Sequence, residues 1–190
     1  MEKIILASAS PRRREILQLL DIPFKVIPPK QEMTIDSNIP LDKAVLNVAR
    51  SKALEVSAAY PEYTVIGADT IVAIDGVVLG KPKNSEHAKE MLEMLSGQIH
   101  NVMTAVWIFG SGLPDDGSGF TDTAKVEFYP LSKSEINEYI ATGEPMDKAG
   151  GYGIQGKGMR LVRAVYGDYY TVMGLPGARL WRLLKGKVYF

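Results

Sequence analysis

TVIGADTIVAIDGVVL, residues 64–79, contains two apolar runs separated by Asp75-Gly76. Asp-Gly is a preferred pair for a two-residue β-hairpin turn, because both of its residues readily adopt positive φ. The stretch therefore predicts two antiparallel strands, over 64–74 and 77–79. Helical patterns occur on both sides of this hairpin along the chain, so the sequence predicts an α/β fold with a mixed sheet rather than a purely parallel one.

Periodicity and capping residues predict the remaining elements. Ser10 followed by Pro11 is typical of a helix start, and Ser132 with Glu135 forms a capping-box pattern. The predicted helices are 11–20, 41–60, 84 or 85 to 95, 133–142 and 176–185. Further strands are predicted over 3–7, 24–27, 99–109, 120–129, 159–165 and 169–173. A chain of this length is expected to form a single domain over 1–190.

The composition excludes several classes of function. The chain has 190 residues, of which 46% are hydrophobic, and 22 Lys and Arg balance 22 Asp and Glu, so no net charge attracts nucleic acid or a membrane surface. With no Cys and two His, thiolate chemistry is excluded, and a His-rich metal site or a Ser-His-Asp triad is difficult to build. A metal would therefore have mostly oxygen ligands, as Mg²⁺ and Mn²⁺ do. Without a signal peptide or a long apolar run, we expect a soluble cytoplasmic protein.

Three consecutive arginines follow Ser10-Pro11 at the predicted start of the first helix. Positive charge is unfavourable at a helix N-terminus, at a cost of about 0.3–1 kcal/mol for each arginine, and a bound anion would reverse the sign of that cost. Helical spacing directs Arg12 and Arg13 towards the body of the protein and Arg14 towards solvent. The pattern favours an anion site, and a basic surface turn is the alternative interpretation.

Asp69 interrupts an apolar strand, and Lys52 interrupts the apolar stripe of the helix predicted over 41–60. An ionised carboxylate in such a strand needs a partner or a metal, unless it serves a local bulge near Gly67. For Lys52 the alternative is an apolar stem along the surface with its ammonium in water. Thr70 faces the other side of an ideal strand, so Asp69 and Thr70 serve one site only if the strand bulges or is interrupted.

Loops supply further candidates, each of which is also compatible with an ordinary loop residue. Lys81 follows the hairpin and is held extended by the next proline, and Glu32 lies in the polar loop over 28–40. The Gly-rich segment over 149–158 allows a ligand to approach the backbone closely, but it matches neither the P-loop nor the dinucleotide-binding pattern. We assign His100 to a strand edge, without a role.

Two arginines, two lysines and two carboxylates are suited to binding a polyphosphate with its metal and to hydrolysing it. At these residues the sequence resembles the Maf family of nucleoside triphosphate pyrophosphatases, over nearly the whole chain. The matching segments are LASASPRR at 6–13, ARSKA at 49–53, GADT at 67–70, GKP at 80–82 and EPMDKAGGYGIQG at 144–156. The resemblance implies a mixed, strongly twisted sheet flanked by helices, with two lobes around a central cleft, and a homodimer. It also implies Mg²⁺, or alternatively Mn²⁺ or Co²⁺, as cofactor.

The resemblance further implies roles for individual residues. The catalytic aspartate falls on Asp69, which would accept the proton of the attacking water and contact the metal together with Glu32. The phosphate-binding residues fall on Ser8, Arg13, Lys52 and Lys81. The residues linked to base choice fall on Arg12, Thr70 and Gln155, a combination similar to the branch that acts on dTTP and UTP, although Arg12 can serve either the base or the phosphates. Gln31 departs from the family pattern, which often has an acidic residue there.

Two functions of different classes follow. The first is hydrolysis of dTTP and UTP, and of modified pyrimidine nucleotides such as pseudo-UTP and 5-methyl-UTP, to the monophosphate and pyrophosphate as nucleotide-pool housekeeping. The alternative is a nucleotide-binding regulator of cell division and septum formation with little or no turnover. Pyrophosphate release distinguishes the two.

Overall fold

The computed structural model of the protein describes residues 4–31, 33–36 and 38–185. In these residues lie seven strands: β1 (Ile4–Ala7), β2 (Phe24–Val26), β3 (Thr64–Ile74), β4 (Val77–Leu79), β5 (Ile99–Phe109), β6 (Ser118–Phe128) and β7 (Val162–Tyr166). The α-helices are α1 (Pro11–Gln18), α2 (Leu41–Ala59), α3 (Ser85–Leu95), α4 (Lys133–Ala141), α5 (Tyr169–Met173) and α6 (Gly177–Leu184). Short 3₁₀ helices cover Glu144–Asp147, Ala149–Gly151 and Gly156–Leu161.

The strands form one mixed sheet, which confirms the predicted α/β fold class. Its order is β2-β1-β3-β5-β6-β7, with β4 paired to β3. Strand β1 runs parallel to β2 and β3, whereas β3 with β4 and β6 with β7 are antiparallel. The hairpin has the predicted turn, because Asp75 and Gly76 have φ values of 49° and 79° and Ile74 pairs with Val77.

The chain divides into two compact units. The first comprises the described residues of 1–69, 104–122 and 174–190, and the second comprises 70–103 and 123–173. In the first unit, buried residues from β1, α2, β3 and β5 pack together; they are Ile5, Ala7, Ala53, Val56, Val65 and Phe109. In the second unit the larger core cluster includes Leu92, Phe128, Tyr139 and Tyr152.

Local sequence explains the first unit's helices. Ser10 caps α1 by accepting a hydrogen bond from the Arg13 N–H at 3.5 Å, and Pro11 is the first helical residue, as predicted. The long helix α2 buries Val45, Val48 and Ala49 along its apolar stripe. The predicted limits of α2, and those of α3 in the second unit, agree with the structure to within one residue.

Two predictions for the C-terminal third were wrong. Residues 169–173 form a helix instead of a strand, because Asp168 caps the turn: its Oδ1 accepts the Tyr170 N–H at 3.0 Å and its backbone carbonyl accepts the Thr171 N–H at 3.1 Å. Aromatic and β-branched residues had favoured a strand, but the local cap prevails. The predicted strand over 159–165 begins only at Val162, since a 3₁₀ helix extends to Leu161.

The assignment of His100 to a strand edge was also wrong. Strand β5 lies between β3 and β6, and the His100 residue is only 1% exposed. Strand β3, in turn, continues through Asp69 and Thr70 without an interruption, so the two residues serve one site only if the strand bulges there. None of the helices in the described part of the chain combines the length and apolar character that a membrane span requires.

Candidate active site

The turn between β1 and α1 is organised around the hydroxyl of Ser8. Ser8 is 5% exposed, and its Oγ accepts hydrogen bonds from the Ser10 N–H and from Arg13 Nη1, each at 3.2 Å. A buried serine at the end of a strand thus orders the start of the following helix. This places the Ser8 hydroxyl and the Arg13 guanidinium, both predicted to bind phosphate, in direct contact.

Arg13 links three parts of the first unit. Its Nε donates to the Gly174 carbonyl oxygen and its Nη1 to the Ala68 carbonyl oxygen, each at 2.8 Å. Burial lowers the pKa of the Arg13 guanidinium from its ordinary value, Asp69 raises this pKa, and Arg12 lowers it further. An arginine starts from so high a pKa that it stays charged. A positive charge is therefore held beside the backbone that precedes Asp69.

Asp69 has the partner that its position in an apolar strand requires. Lys52 Nζ donates to Asp69 Oδ1 at 2.5 Å, and the two side chains are 19% and 17% exposed. This contact excludes the interpretation of Lys52 as a stem with its ammonium directed into water. The structure thus brings together four of the predicted site residues in the first unit: Ser8, Arg13, Lys52 and Asp69.

The arginines of α1 divide as predicted. Arg12 and Arg13 are partly buried, whereas Arg14 is exposed. Arg12 also lies close enough to Arg13 to affect its pKa. Two adjacent cations, partly withdrawn from water at a helix N-terminus, favour a negatively charged ligand.

The other candidates belong to the second unit, except Glu32, which is not among the residues that the structure describes. Thr70 is partly buried in β3, and Lys81 is exposed just after β4. Gln155 is exposed and immediately precedes the 3₁₀ helix Gly156–Leu161. Glu32 lies outside the described residues, so its predicted metal contact stays a prediction.

A divalent cation bound by side chains alone would need a cluster of them in the described part of the chain. No group of three or more His, Asp or Glu side chains with metal-binding geometry occurs among residues 4–31, 33–36 and 38–185. Mg²⁺ is commonly bound through one or two carboxylates together with substrate phosphates, rather than in an all-protein cage. The carboxylate of Asp69, beside groups suited to phosphate, fits that mode of binding.

Sequence reasoning missed an ordered network in the second unit. The Tyr139 hydroxyl donates to Glu144 Oε1 at 3.0 Å and accepts the Gly153 N–H at 3.1 Å. Glu144 also accepts the N–H groups of Lys157 and Gly158, at 2.9 and 3.1 Å. Burial raises the pKa of Glu144, but these hydrogen bonds outweigh burial, so that its pKa lies below the ordinary value. The motif over 144–156 contains Glu144, although its local pattern does not indicate these contacts.

A buried aromatic cluster lies in the same unit. His100 Nε2 is 2.7 Å from the Tyr152 hydroxyl, and both rings stack edge-on against Phe128. Burial lowers the pKa of His100 to about 4 and raises that of Tyr152. His100 is therefore neutral near pH 7, and no signal in the sequence pointed to this pairing.

Comparison with solved structures supports the fold class. The structure of a HAM1 protein from Coxiella burnetii superposes with a TM-score of 0.56 at 16% identity, and the match covers 97% of this chain and 98% of the other. At that identity the likeness concerns the fold alone. The protein is a mixed α/β protein in which Asp69 pairs with Lys52 and Arg13 binds the backbone of the preceding Ala68.

The sequence matches the family described as Maf-like protein over residues 3–187, and the chain belongs to this family. The dTTP/UTP pyrophosphatase of Bacillus velezensis is 50% identical over 184 residues, covering 97% of this chain and 96% of that protein. The dTTP/UTP pyrophosphatase of Bacillus cytotoxicus is 48% identical over 185 residues, covering 97% and 95%. Membership in this family implies a nucleotide substrate.

Proposed function

We propose that the protein hydrolyses dTTP and UTP to the nucleoside monophosphate and pyrophosphate. The observation that carries the proposal is the pairing of Asp69 with Lys52, next to the backbone that Arg13 holds. Relatives that are about half identical over almost the full length carry the name dTTP/UTP pyrophosphatase. The role we propose is housekeeping of the nucleotide pool in the cytoplasm. The proposed substrates include modified pyrimidine nucleotides such as pseudo-UTP and 5-methyl-UTP.

Asp69 is the proposed general base. Lys52 holds its Oδ1, which orients the carboxylate, and we assign Oδ2 to the attacking water. The water oxygen bonds to the α-phosphorus, the bond from that phosphorus to the oxygen bridging to the β-phosphate breaks, and pyrophosphate leaves. The proton of the water passes to Asp69, which makes this step general-base catalysis.

Ser8, Arg13, Lys52 and Lys81 are the proposed phosphate-binding residues. In phosphoryl transfer the protein contributes mainly positioning and electrostatic stabilisation, and charged donors fixed before the substrate arrives are effective in both. Arg13 meets this condition, since its contacts to Gly174 and Ala68 hold its guanidinium in place. Ser8 accepts two hydrogen bonds and still carries a proton of its own that can be donated to a phosphate oxygen.

We assign a divalent cation, Mg²⁺ or alternatively Mn²⁺ or Co²⁺, to Asp69 together with Glu32. When bound, such an ion neutralises phosphate charge and polarises the phosphoryl oxygens. Its oxygen ligands would be one or two carboxylates and the substrate itself. The cationic residues of the chain bind and orient the phosphates alongside it.

Arg12, Thr70 and Gln155 are the proposed determinants of base choice. Uracil and thymine present two carbonyl acceptors and one N–H donor, and the side-chain amide of Gln155 offers both a donor and an acceptor. Pseudo-UTP and 5-methyl-UTP present the same edge. Gln155 is exposed, so its amide is accessible to a ligand.

We expect the protein to form a homodimer, an expectation that the family resemblance supports. Light scattering of the purified chain over a range of concentrations measures its mass directly. A mass twice that of the 20.9 kDa chain is the expected result, and a monomer at all concentrations would contradict it.

The decisive experiment is measurement of pyrophosphate release with Mg²⁺ from dTTP, UTP, CTP, ATP, GTP and 7-methyl-GTP. Strong release from dTTP and UTP is expected, and Asp69→Asn should abolish it while the variant stays folded. Asp75→Asn is a matched control, because Asp75 is an exposed turn residue on the same hairpin and asparagine tolerates its positive φ. Binding of nucleotides without any release would refute the proposal and favour the regulatory alternative.

A further inference from the structure

A phenol and a carboxylate hold the loop that carries Gln155. Tyr139, which is fully buried in α4, accepts the Gly153 N–H, and Glu144 accepts the N–H groups of Lys157 and Gly158. The two acceptors are themselves joined by the hydrogen bond from Tyr139 to Glu144. Gln155 lies between the anchored positions, so both ends of its loop are fastened to one pair of side chains.

The glycines of this loop are required by the same arrangement. A Cβ on Gly158 would lie 2.2 Å from the Gly153 carbonyl oxygen and 2.8 Å from the Tyr139 hydroxyl. Gly156 has φ +72°, and a Cβ there would lie 2.9 Å from Glu144 Oε2. The loop is therefore closed on itself and packed directly on Tyr139 and Glu144. An exposed side chain on such a loop has little backbone freedom to lose when it binds a ligand.

We propose that Tyr139 and Glu144 are positioning residues for base choice, which act by fixing the backbone that presents Gln155 to a pyrimidine ring. This inference rests on the proposed function of Gln155. A primary amide discriminates one hydrogen-bonding edge from another only if its position is fixed, because a mobile amide adapts to either pattern. Neither Tyr139 nor Glu144 needs to contact the nucleotide to have this effect.

The test is a double-mutant cycle on selectivity, with kcat/KM for UTP divided by kcat/KM for CTP as the readout. Tyr139→Phe removes only the hydroxyl and retains the ring in the core, and Glu144→Gln keeps the size of the side chain. Each is expected to lower the ratio about fivefold to tenfold, mainly through a higher KM for UTP. This size corresponds to the loss of one hydrogen bond between Gln155 and the base. Gln155→Ala should lower the ratio at least as much, and Tyr139→Phe should have no further effect in that background.

Tyr166→Phe is the matched control, because the exposed Tyr166 hydroxyl donates to Glu127 at 2.8 Å in a similar tyrosine–glutamate pair. It should leave the ratio unchanged. Hydrogen exchange should show faster exchange of the Gly153 amide in Tyr139→Phe than in the wild type. The same cycle can be measured as dissociation constants, so the test does not depend on turnover.

The outcomes separate this inference from the proposed function. If Gln155→Ala lowers the ratio and Tyr139→Phe does not, the positioning role is overturned while Gln155 keeps its assignment. An equal loss caused by Tyr139→Phe with and without Gln155 would also overturn it, since Tyr139 would then act by another route. An unchanged ratio in Gln155→Ala overturns the assignment of Gln155 and the inference together.

Discussion

Lys52 in α2 donates a hydrogen bond over 2.5 Å to Asp69 in β3, which joins the helix to the strand through a charged pair. Both side chains are less than a fifth exposed, so the surrounding protein screens their interaction less than bulk water would. The pair therefore connects the packing of the first unit to the proposed chemistry of Asp69. The consequences for stability and for turnover can be measured separately.

Lys52→Met removes the ammonium and retains most of the apolar stem. Turnover of UTP is expected to fall about 100-fold or more, because the carboxylate loses its orienting donor and the phosphates lose a positive charge. The free energy of unfolding should fall by about 1–3 kcal/mol, the cost of breaking a hydrogen-bonded charged pair. Lys43→Met in the exposed part of α2 is the control and should change stability by less than about 0.5 kcal/mol. Wild-type turnover in Lys52→Met would contradict the assignment.

Arg13→Lys tests the anchoring role of the guanidinium. An ammonium cannot reproduce the fork that donates to Gly174 and Ala68 at once, so the free energy of unfolding should fall by about 2–4 kcal/mol. Urea unfolding measures this loss. Arg14→Lys makes the same chemical change at the exposed neighbour and should be close to neutral. Equal stability of the two variants would show that the contacts of Arg13 contribute little.

Much of the fold could be predicted because its signals are local. Asp75-Gly76 determines the hairpin turn, and the Ser132 capping box forms as predicted, with hydrogen bonds to the backbone in both directions. Composition misled the prediction at residues 169–173, where a single capping aspartate outweighs aromatic and β-branched residues. One or two hydrogen bonds determine whether a short segment is helix or strand, and the secondary-structure propensities of its residues do not include these bonds.

The site could be predicted only as a set of residue types. An aspartate in an apolar strand and a lysine on an apolar stripe each required a partner, but their pairing depends on how α2 packs on β3. The contact from Arg13 to Gly174 joins residues 161 positions apart, which no local pattern indicates. The contacts of Glu144 and His100 could not be predicted for the same reason, since tertiary packing brings their partners close.

His100 should make stability depend on pH. Its pKa is lowered by burial to about 4 in the folded state, against 6.5 as the ordinary value, so between these values the unfolded state binds more protons. Stability therefore rises with pH from 4 to 6.5, by about 3 kcal/mol for this group, and is lost as the pH falls through the same range.

The comparison of His100→Phe with Tyr152→Phe identifies the cause of this effect. Unfolding free energies measured from pH 4 to 7 should rise less steeply in His100→Phe than in the wild type. Tyr152→Phe removes the hydrogen bond but keeps the histidine buried, so the steep rise should persist. Parallel curves for the wild type and His100→Phe would refute the assignment.

Gly67→Ala tests whether the close packing of α2 on β3 sets the geometry of the Lys52–Asp69 pair. A Cβ at Gly67 would lie 2.5 Å from the Ala49 carbonyl oxygen and 2.7 Å from the Ala53 backbone nitrogen, so the helix must move away from the strand. Overpacking of this kind should lower the free energy of unfolding by about 1–3 kcal/mol. Because Lys52 lies between these two contacts on α2, the shift should also weaken its bond to Asp69 and lower turnover at least tenfold, in protein that thermal melting shows to be folded. Gly80→Ala, where a Cβ meets no atom within 4 Å, is the stability control. A destabilised Gly67→Ala variant with full turnover would separate helix packing from the chemistry of Asp69.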